Sequence, residues 1–484
     1  MLDAQYRTEC FESHTGNGIV SPSTQQHFRI SDIFVPQLSL ENSLFILFRL
    51  FLVFALSLSL THNVESREKH MSSIPVVTIP YSDLVNFDDG EHHCVLEKIA
   101  QAFGSENNSF GILAVTEVPT LHEKRAQLLP LARRVALLPN KEEVISEESK
   151  YQTGWSHGKE IFAGKPDTAK GSFYANPLID DLSTIRQDIP QDIRDNNPGF
   201  FAPNVWPTKS IPELEGAFKD LASLVIDVGR LLAKPCDAYV ASQQQHLSAG
   251  SAAAGSCCEQ KNKLTTLLKE SKFCKARLLH YFAVDRSNNT SENNDFSDWC
   301  GWHNDHVSYF RLDDKKTSIF RFQSKVPNSF SPFHSLYAIK GSLTGLIPAM
   351  YLDEDGTEVS CDDDDKAGLY VQARNGSIHH VSLPPNAIGF QIGETSQIHS
   401  GGILQATPHA VRGSSSVRSL TRESFAVFME PEYFGEMELP TGKTVENVQD
   451  ASIVLPSSVK TLSSRWKPGM NFGEFSEATF SAFY

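Results

Sequence analysis

Basic residues are in short supply: 43 Lys and Arg stand against 58 Asp and Glu, a net charge of −15 with His neutral. No basic stripe interleaved with aromatics occurs, which argues against a nucleic-acid surface. Cysteine is sparse and unpatterned. The eight thiols are scattered, Cys257 and Cys258 are adjacent, and no Cys-x-x-Cys spacing is found. This is neither a zinc framework nor a disulfide scaffold, and reduced thiols in an intracellular protein are expected. Long apolar runs are missing with one exception, residues 44–60 (LFILFRLFLVFALSLSL), apolar apart from Arg49 and serines. That length is at the lower limit of the roughly 20 residues a membrane span needs, and it lies too far from Met1 for an ordinary signal peptide. Three readings of residues 1–70 stay open: a membrane anchor, a targeting segment, or translated upstream sequence with the start at Met71. The last is preferred and implies a cytoplasmic protein. Either of the others would place the rest of the chain on a membrane or in an organelle.

What is present suffices for a core. Forty per cent of the 484 residues are hydrophobic, enough for one barrel with helical decoration or for two domains. Helical spacing of apolar residues is found over His93 to Phe103 and over His122 to Leu138, where Pro130 is expected to kink or split the helix. The strongest stripe, in Pro212 to Tyr239, is Leu214, Phe218, Leu221, Val225, Val228 and Leu232; such a stripe is core packing. Gln243 to Gly255 is a low-complexity run expected to be a mobile loop. Between Gly368 and Pro431 the pattern changes to short strands. Gly368–Arg374 leads into Asn375-Gly376, a hairpin signal, and 378–383 returns. Further strands are read over Ala387–Glu394, Ile403–Val411 and Glu423–Pro431. Short strands at this spacing indicate a small barrel or jelly roll. The acidic run Asp362–Asp365 is read as a solvated loop.

Chemistry concentrates at Gly301-Trp302-His303-Asn304-Asp305-His306. Residues i and i+2 of a strand share a side, so His303 and Asp305 at a strand end can bite one metal. His409 can bring a second imidazole from a distant strand. Two imidazoles and one carboxylate fill one face of an octahedron and leave the other open, as a facial-triad non-haem Fe(II) site requires. Each piece alone has a plainer reading: a solvated turn at Asp305 and His306, a structural histidine at His409, a surface arginine at Arg422.

The order of these motifs resembles the plant-type, isopenicillin-N-synthase-like family of Fe(II)/2-oxoglutarate dioxygenases. The shared text is His303-x-Asp305, the strand Gly389-Phe390-Gln391-Ile392-Gly393-Glu394, His409, and Arg422-x-Ser424 before an apolar strand. Upstream, Arg277-Leu278-Leu279-His280-Tyr281-Phe282, Ile74–Tyr81 and Phe110–Thr116 are similar to further strands of that family. The resemblance implies an α+β protein with a double-stranded β-helix (jelly-roll, cupin-like) core flanked by helices. It implies Fe(II) on His303, Asp305 and His409, with 2-oxoglutarate and O₂ as cosubstrates. The far carboxylate of 2-oxoglutarate would meet Arg422, Ser424 and Tyr281. The reaction would convert 2-oxoglutarate to succinate and CO₂ and oxidise a C–H bond of a small molecule, and a monomer is expected. Gly154–Glu160 and Lys170–Pro177 are similar to a plant and algal subgroup of unestablished substrate. There Trp155, His157, Lys159, Phe173, Tyr174 and Asn176 are candidate pocket-lining residues. The alternative is a non-catalytic or 2-oxoglutarate-independent metal-binding jelly-roll protein.

Two departures stand out. Leu279 and Phe282 replace the family's asparagine and proline. Residues 307–340, rich in Phe, Ser and Lys, interrupt text that resumes at Gly341. A Val codon begins with GT and a Lys codon can end in AG, so this segment is read as a retained intron, with a true insertion at the barrel mouth as the alternative. The expected organisation is an extension over 1–70, an N-terminal dioxygenase region over 73–240, the jelly-roll domain over 270–435, and a tail over 436–484 that packs as a short helix or cap.

Overall fold

The computed structural model describes residues 73–88, 93–159, 161–162, 165–248, 263–283, 300–304, 341–360, 367–413, 420–449 and 453–483. All belong to the second of two units, Met71–Tyr484. The apolar segment 44–60, Asp305 and the insertion 307–340 lie outside the described residues. Among the described residues no helix is long and apolar enough to cross a membrane.

Two β-sheets face each other and helices cover one of them. The larger sheet runs in the order Val77–Pro80, Ile112–Thr116, Ala387–Ile392, Leu343–Leu346, Thr421–Met429, Lys275–Tyr281, Lys170–Ala175 and Gly154–His157. Met350–Leu352 also pairs with the Thr421 strand. The smaller sheet runs Ser73–Ile74, Ile378–Val381, Gly368–Gln372, His409–Arg412 and Cys300–His303. Pairings are antiparallel except Ser73 with His380 and the Val77 strand with the Ile112 strand, which are parallel. The larger sheet takes strands from both sides of the 240/270 boundary, so those two regions share one sheet.

The period of two sorts each strand's side chains between two environments. Ile388, Phe390 and Ile392 join the core beneath the helices. Gly389 turns the other way, where a Cβ would stand 2.9 Å from Leu383. Between the sheets, Ile112 packs with Val371 and Val381, and Leu279 and Tyr281 pack with Val411 and Ala367.

The apolar stripe forms the helix Leu214–Ser248, and all six of its expected residues are buried. It lies against the larger sheet so closely that a Cβ at Gly345 would fall 2.2 Å from Val225 Cγ1. Gly345→Ala is therefore expected to cost about 1–3 kcal/mol through overpacking, measurable as a lower denaturation midpoint with an unchanged m-value. The helix runs on to Ser248, so Gln243–Ser248 is helical where a loop was expected. Gln and Leu are good helix formers, and low complexity does not oppose them. Leu121–Ala136 is likewise one helix with Pro130 inside it. The buried neighbours Leu128, Leu129, Leu131 and Ala132 hold it together where propensity would break it. The Asn375-Gly376 hairpin forms as expected, with Gly376 at φ +83°. The strand expected over Ile403–Val411 is confined to His409–Arg412. The tail forms the helix Phe472–Phe483.

Candidate active site

His303 and His409 meet across two neighbouring strands. They are direct cross-strand partners, and a register irregularity follows between His409 and Val411. Their ring centroids are 4.3 Å apart at 57°. Nδ1 of His303 lies 2.7 Å from the Gly301 carbonyl, and Nδ1 of His409 lies 3.2 Å from the Thr407 carbonyl. A carbonyl only accepts, so each ring donates through Nδ1–H. A neutral ring in that state carries its lone pair on Nε2, which is the ligating tautomer. Among the described residues there is no group of three His, Cys, Asp or Glu side chains placed to hold a metal; the third expected ligand, Asp305, is not one of them.

The second half of the site lies on Thr421–Met429 and Lys275–Tyr281. Arg422 is opposite Tyr281, Ser424 opposite Leu279, and Ala426 opposite Arg277. The Arg422 guanidinium carbon stands 5.0 Å from the Tyr281 ring centroid. Its Nη1 donates to Ser424 Oγ over a long 3.4 Å. Its Nε is buried and has no hydrogen-bond partner among the described residues. A buried guanidinium N–H without an acceptor costs free energy and marks where an acceptor belongs. Burial pushes the Tyr281 phenol above its ordinary pKa, with Arg422 opposing, so the ring stays protonated as a donor.

The opposite face of the same two strands carries a buried hydrogen-bonded pair. His280 Nδ1 lies 2.8 and 3.0 Å from the two Glu423 carboxylate oxygens, and Thr421 Oγ1 donates to the same carboxylate at 3.0 Å. Burial raises the Glu423 pKa, and the hydrogen bond from His280 pulls it back. This pair locks the register that sets Arg422 beside Tyr281. Removing one partner leaves the other buried without its hydrogen-bond partner, so Glu423→Ala is expected to cost about 1–3 kcal/mol, read by urea unfolding.

A cavity of about 820 Å³ unites the two halves. His303, His409, Tyr281, Arg422 and Ser424 all line it, together with Leu279, Arg277 and Arg125. Its volume suits a small molecule. Three arginines and one glutamate are its described charged linings, and Arg125 bonds that glutamate, Glu358, at 2.8 Å. Arg277 and Arg125 carried no role in the sequence reading. The signal for Arg277 was available: it stands four residues before Tyr281 on one strand and so shares its face. Arg125 reaches the cavity from a helix, and no sequence spacing announces that.

The six expected pocket residues are not among the described lining of this cavity. Trp155 is buried over Gly171, where a Cβ would touch its ring at 2.1 Å. Phe173 packs against Trp206 and Phe218 beneath the helices. His157 Nε2 lies 3.0 Å from the Thr168 carbonyl, and the Lys159 ammonium sits 4.3 Å from the Tyr151 ring centroid. Asn176 joins turns, donating to the Lys272 carbonyl at 2.8 Å and accepting from the Leu178 amide at 2.9 Å. Tyr174 alone borders the cavity wall. It packs with Ala426 and Phe428, and the Arg277 guanidinium lies 5.1 Å from its ring. Strand parity explains the split: Trp155 and Phe173 face the helices, while Ser172 and Tyr174 meet Arg277.

No family model and no curated protein matches the sequence. Solved structures do match. A full-length Neurospora crassa protein crystallised in complex with alpha-KG aligns with a TM-score of 0.50 at 15% identity, over 84% of this chain and 96% of that one. The same fungal protein with alpha-KG and 5-formyluracil aligns with the same TM-score, identity and coverage. The likeness shows the fold, a double-stranded β-helix jelly roll flanked by helices.

Proposed function

We propose that this chain is an Fe(II)- and 2-oxoglutarate-dependent oxygenase that oxidises a C–H bond of a small molecule. The observation that carries this reading is Arg422. Its Nε is buried without a partner among the described residues, in a cavity that also holds the facing imidazoles of His303 and His409. The residues suit the group they would hold. Two histidines in the ligating tautomer and the carboxylate of Asp305 make the donor set of a facial triad. When bound with its cosubstrates, the iron supplies decarboxylation of 2-oxoglutarate to succinate and CO₂, coupled to oxidation of the substrate.

The protein's own contribution is position and dryness. Arg422 meets the far carboxylate of 2-oxoglutarate with a forked donor. Ser424 adds a hydroxyl from the same strand face, and Tyr281, held protonated by burial, adds a phenol. Leu279, Val411 and Ala426 line the cavity with apolar surface, which strengthens these charge-assisted bonds by excluding water. Leu279 offers no hydrogen bond where the family has asparagine, so the anchoring depends more heavily on Arg422. That the similar Neurospora crassa structure holds alpha-KG accords with this reading. The text of 154–177 resembles that of the plant and algal subgroup, and the reading places the chain there.

The test is 2-oxoglutarate consumption by the purified full chain with Fe(II), O₂ and a panel of small molecules, with succinate as the readout. Anaerobic binding of Fe(II) with 2-oxoglutarate, seen as the visible charge-transfer band of the chelate, reports the site without a known substrate. A chain that forms no band and no succinate sinks the reading.

A further inference from the structure

Building on the Fe(II) site just proposed, we infer that the C-terminal segment is a clamp that positions the metal-ligand strand, with Asn304, Glu394 and Arg465 as its positioning residues. The Cys300–His303 strand is at the edge of the smaller sheet. Among the described residues it has a strand partner on one side, the His409 strand, and no ladder on the other. Two bonds from elsewhere flank His303. The Ser458 hydroxyl donates to the Trp302 carbonyl at 2.9 Å. The Asn304 amide donates to Glu394 Oε1 at 3.0 Å. Asn304 stands between His303 and Asp305 in the chain, so its tied side chain is one residue away from each expected ligand residue.

Glu394 is itself fixed. It opens the short helix Glu394–His399 and is buried. Arg465 grips it with a fork, Nη1 to Oε2 at 2.7 Å and Nη2 to Oε1 at 2.6 Å. The remaining Arg465 donors reach Thr479 Oγ1 and the Lys460 and Thr461 carbonyls. Trp466, next to it, is buried with Ile398, Phe472 and Phe475, which seats the tail on the Glu394 helix. A buried carboxylate held by a rigid guanidinium fork has little freedom. Its third bond therefore transmits a fixed position to Asn304. Groups that orient metal ligands from behind change metal affinity about 10–100-fold when removed.

The experiment is Fe(II) binding to the full chain by anaerobic equilibrium dialysis, with the charge-transfer band of the 2-oxoglutarate chelate and the metal-free Tm as companion readouts. Asn304→Ala leaves the Glu394–Arg465 pair intact. It is expected to weaken Fe(II) binding about tenfold or more and to alter the band, with the metal-free Tm within about 2 °C of wild type. Asn304→Gln keeps an amide donor and is expected to recover much of the loss. A merely structural role would lower Tm and leave affinity alone. Should the alanine variant fail to fold, Arg465→Lys carries the same test, because lysine cannot reproduce the fork; full Fe(II) affinity in that variant overturns the clamp. Wild-type affinity in Asn304→Ala, or a glutamine variant as weak as the alanine one, also overturns it and leaves the metal site standing. A wild-type chain that takes up no Fe(II) overturns the site and the clamp together.

Discussion

Arg422→Ala is expected to weaken 2-oxoglutarate binding by about one and a half to three and a half orders of magnitude. The side chain presents a buried donor without an acceptor among the described residues, above Tyr281 and beside Ser424. A ligand carboxylate seated there would lose its cationic partner while staying buried. Truncating one member of a buried charge pair costs about 2–5 kcal/mol, and each 1.4 kcal/mol is about tenfold in affinity. Arg422→Lys restores the charge without the fork and is expected to fall between the two. Fe(II) binding without 2-oxoglutarate should be unchanged in both variants. The measurement is anaerobic binding of 2-oxoglutarate followed by the chelate band. Wild-type affinity in Arg422→Ala would remove Arg422 from the site and favour a jelly roll that does not use 2-oxoglutarate.

His409→Ala is expected to have the complementary signature. It removes a proposed ligand, so the loss of Fe(II) affinity should exceed the roughly 10–100-fold that outer partners cost. The chelate band and succinate formation should disappear with the metal. The strand it sits on is held by the ladder to Gly368–Gln372, so the folded chain should survive the change. Equilibrium dialysis with Fe(II) decides it. A variant that binds iron as tightly as wild type would turn His409 into a buried structural histidine. The two variants together separate the halves of the cavity: one loses the metal, the other only the cosubstrate.

Strand-local chemistry was legible in the sequence, and cross-strand register was not. The face shared by Arg422 and Ser424 follows from a period of two, and the structure sets both in the cavity. The Leu214 stripe was readable for the same kind of reason, since one helix face met one sheet. Trp155 and Phe173 lie outside the described lining of the cavity because strand parity, which the family resemblance does not carry, turns them away from it. Both segments are strands, and those residues face the helices. Glu394 was visible as the end of a glycine-flanked strand. Its fork with Arg465 was not, because no local pattern links side chains that far apart in the chain. The same holds for Arg125, which reaches the cavity from a helix.

The strand order also sets a timetable for synthesis. Thr116 pairs with Ala387, and the strands bearing His409 and Arg422 come later still. A ribosome adding roughly 5–20 residues per second exposes the Ile112–Thr116 strand roughly tens of seconds before that partner exists. During that interval the apolar strand (ILAVT) has the Val77 strand on one side and an open edge on the other. Such an edge is a template for pairing with another chain. The nascent protein thus carries this adhesive edge through a long wait, until the Ala387–Ile392 strand arrives to cover it.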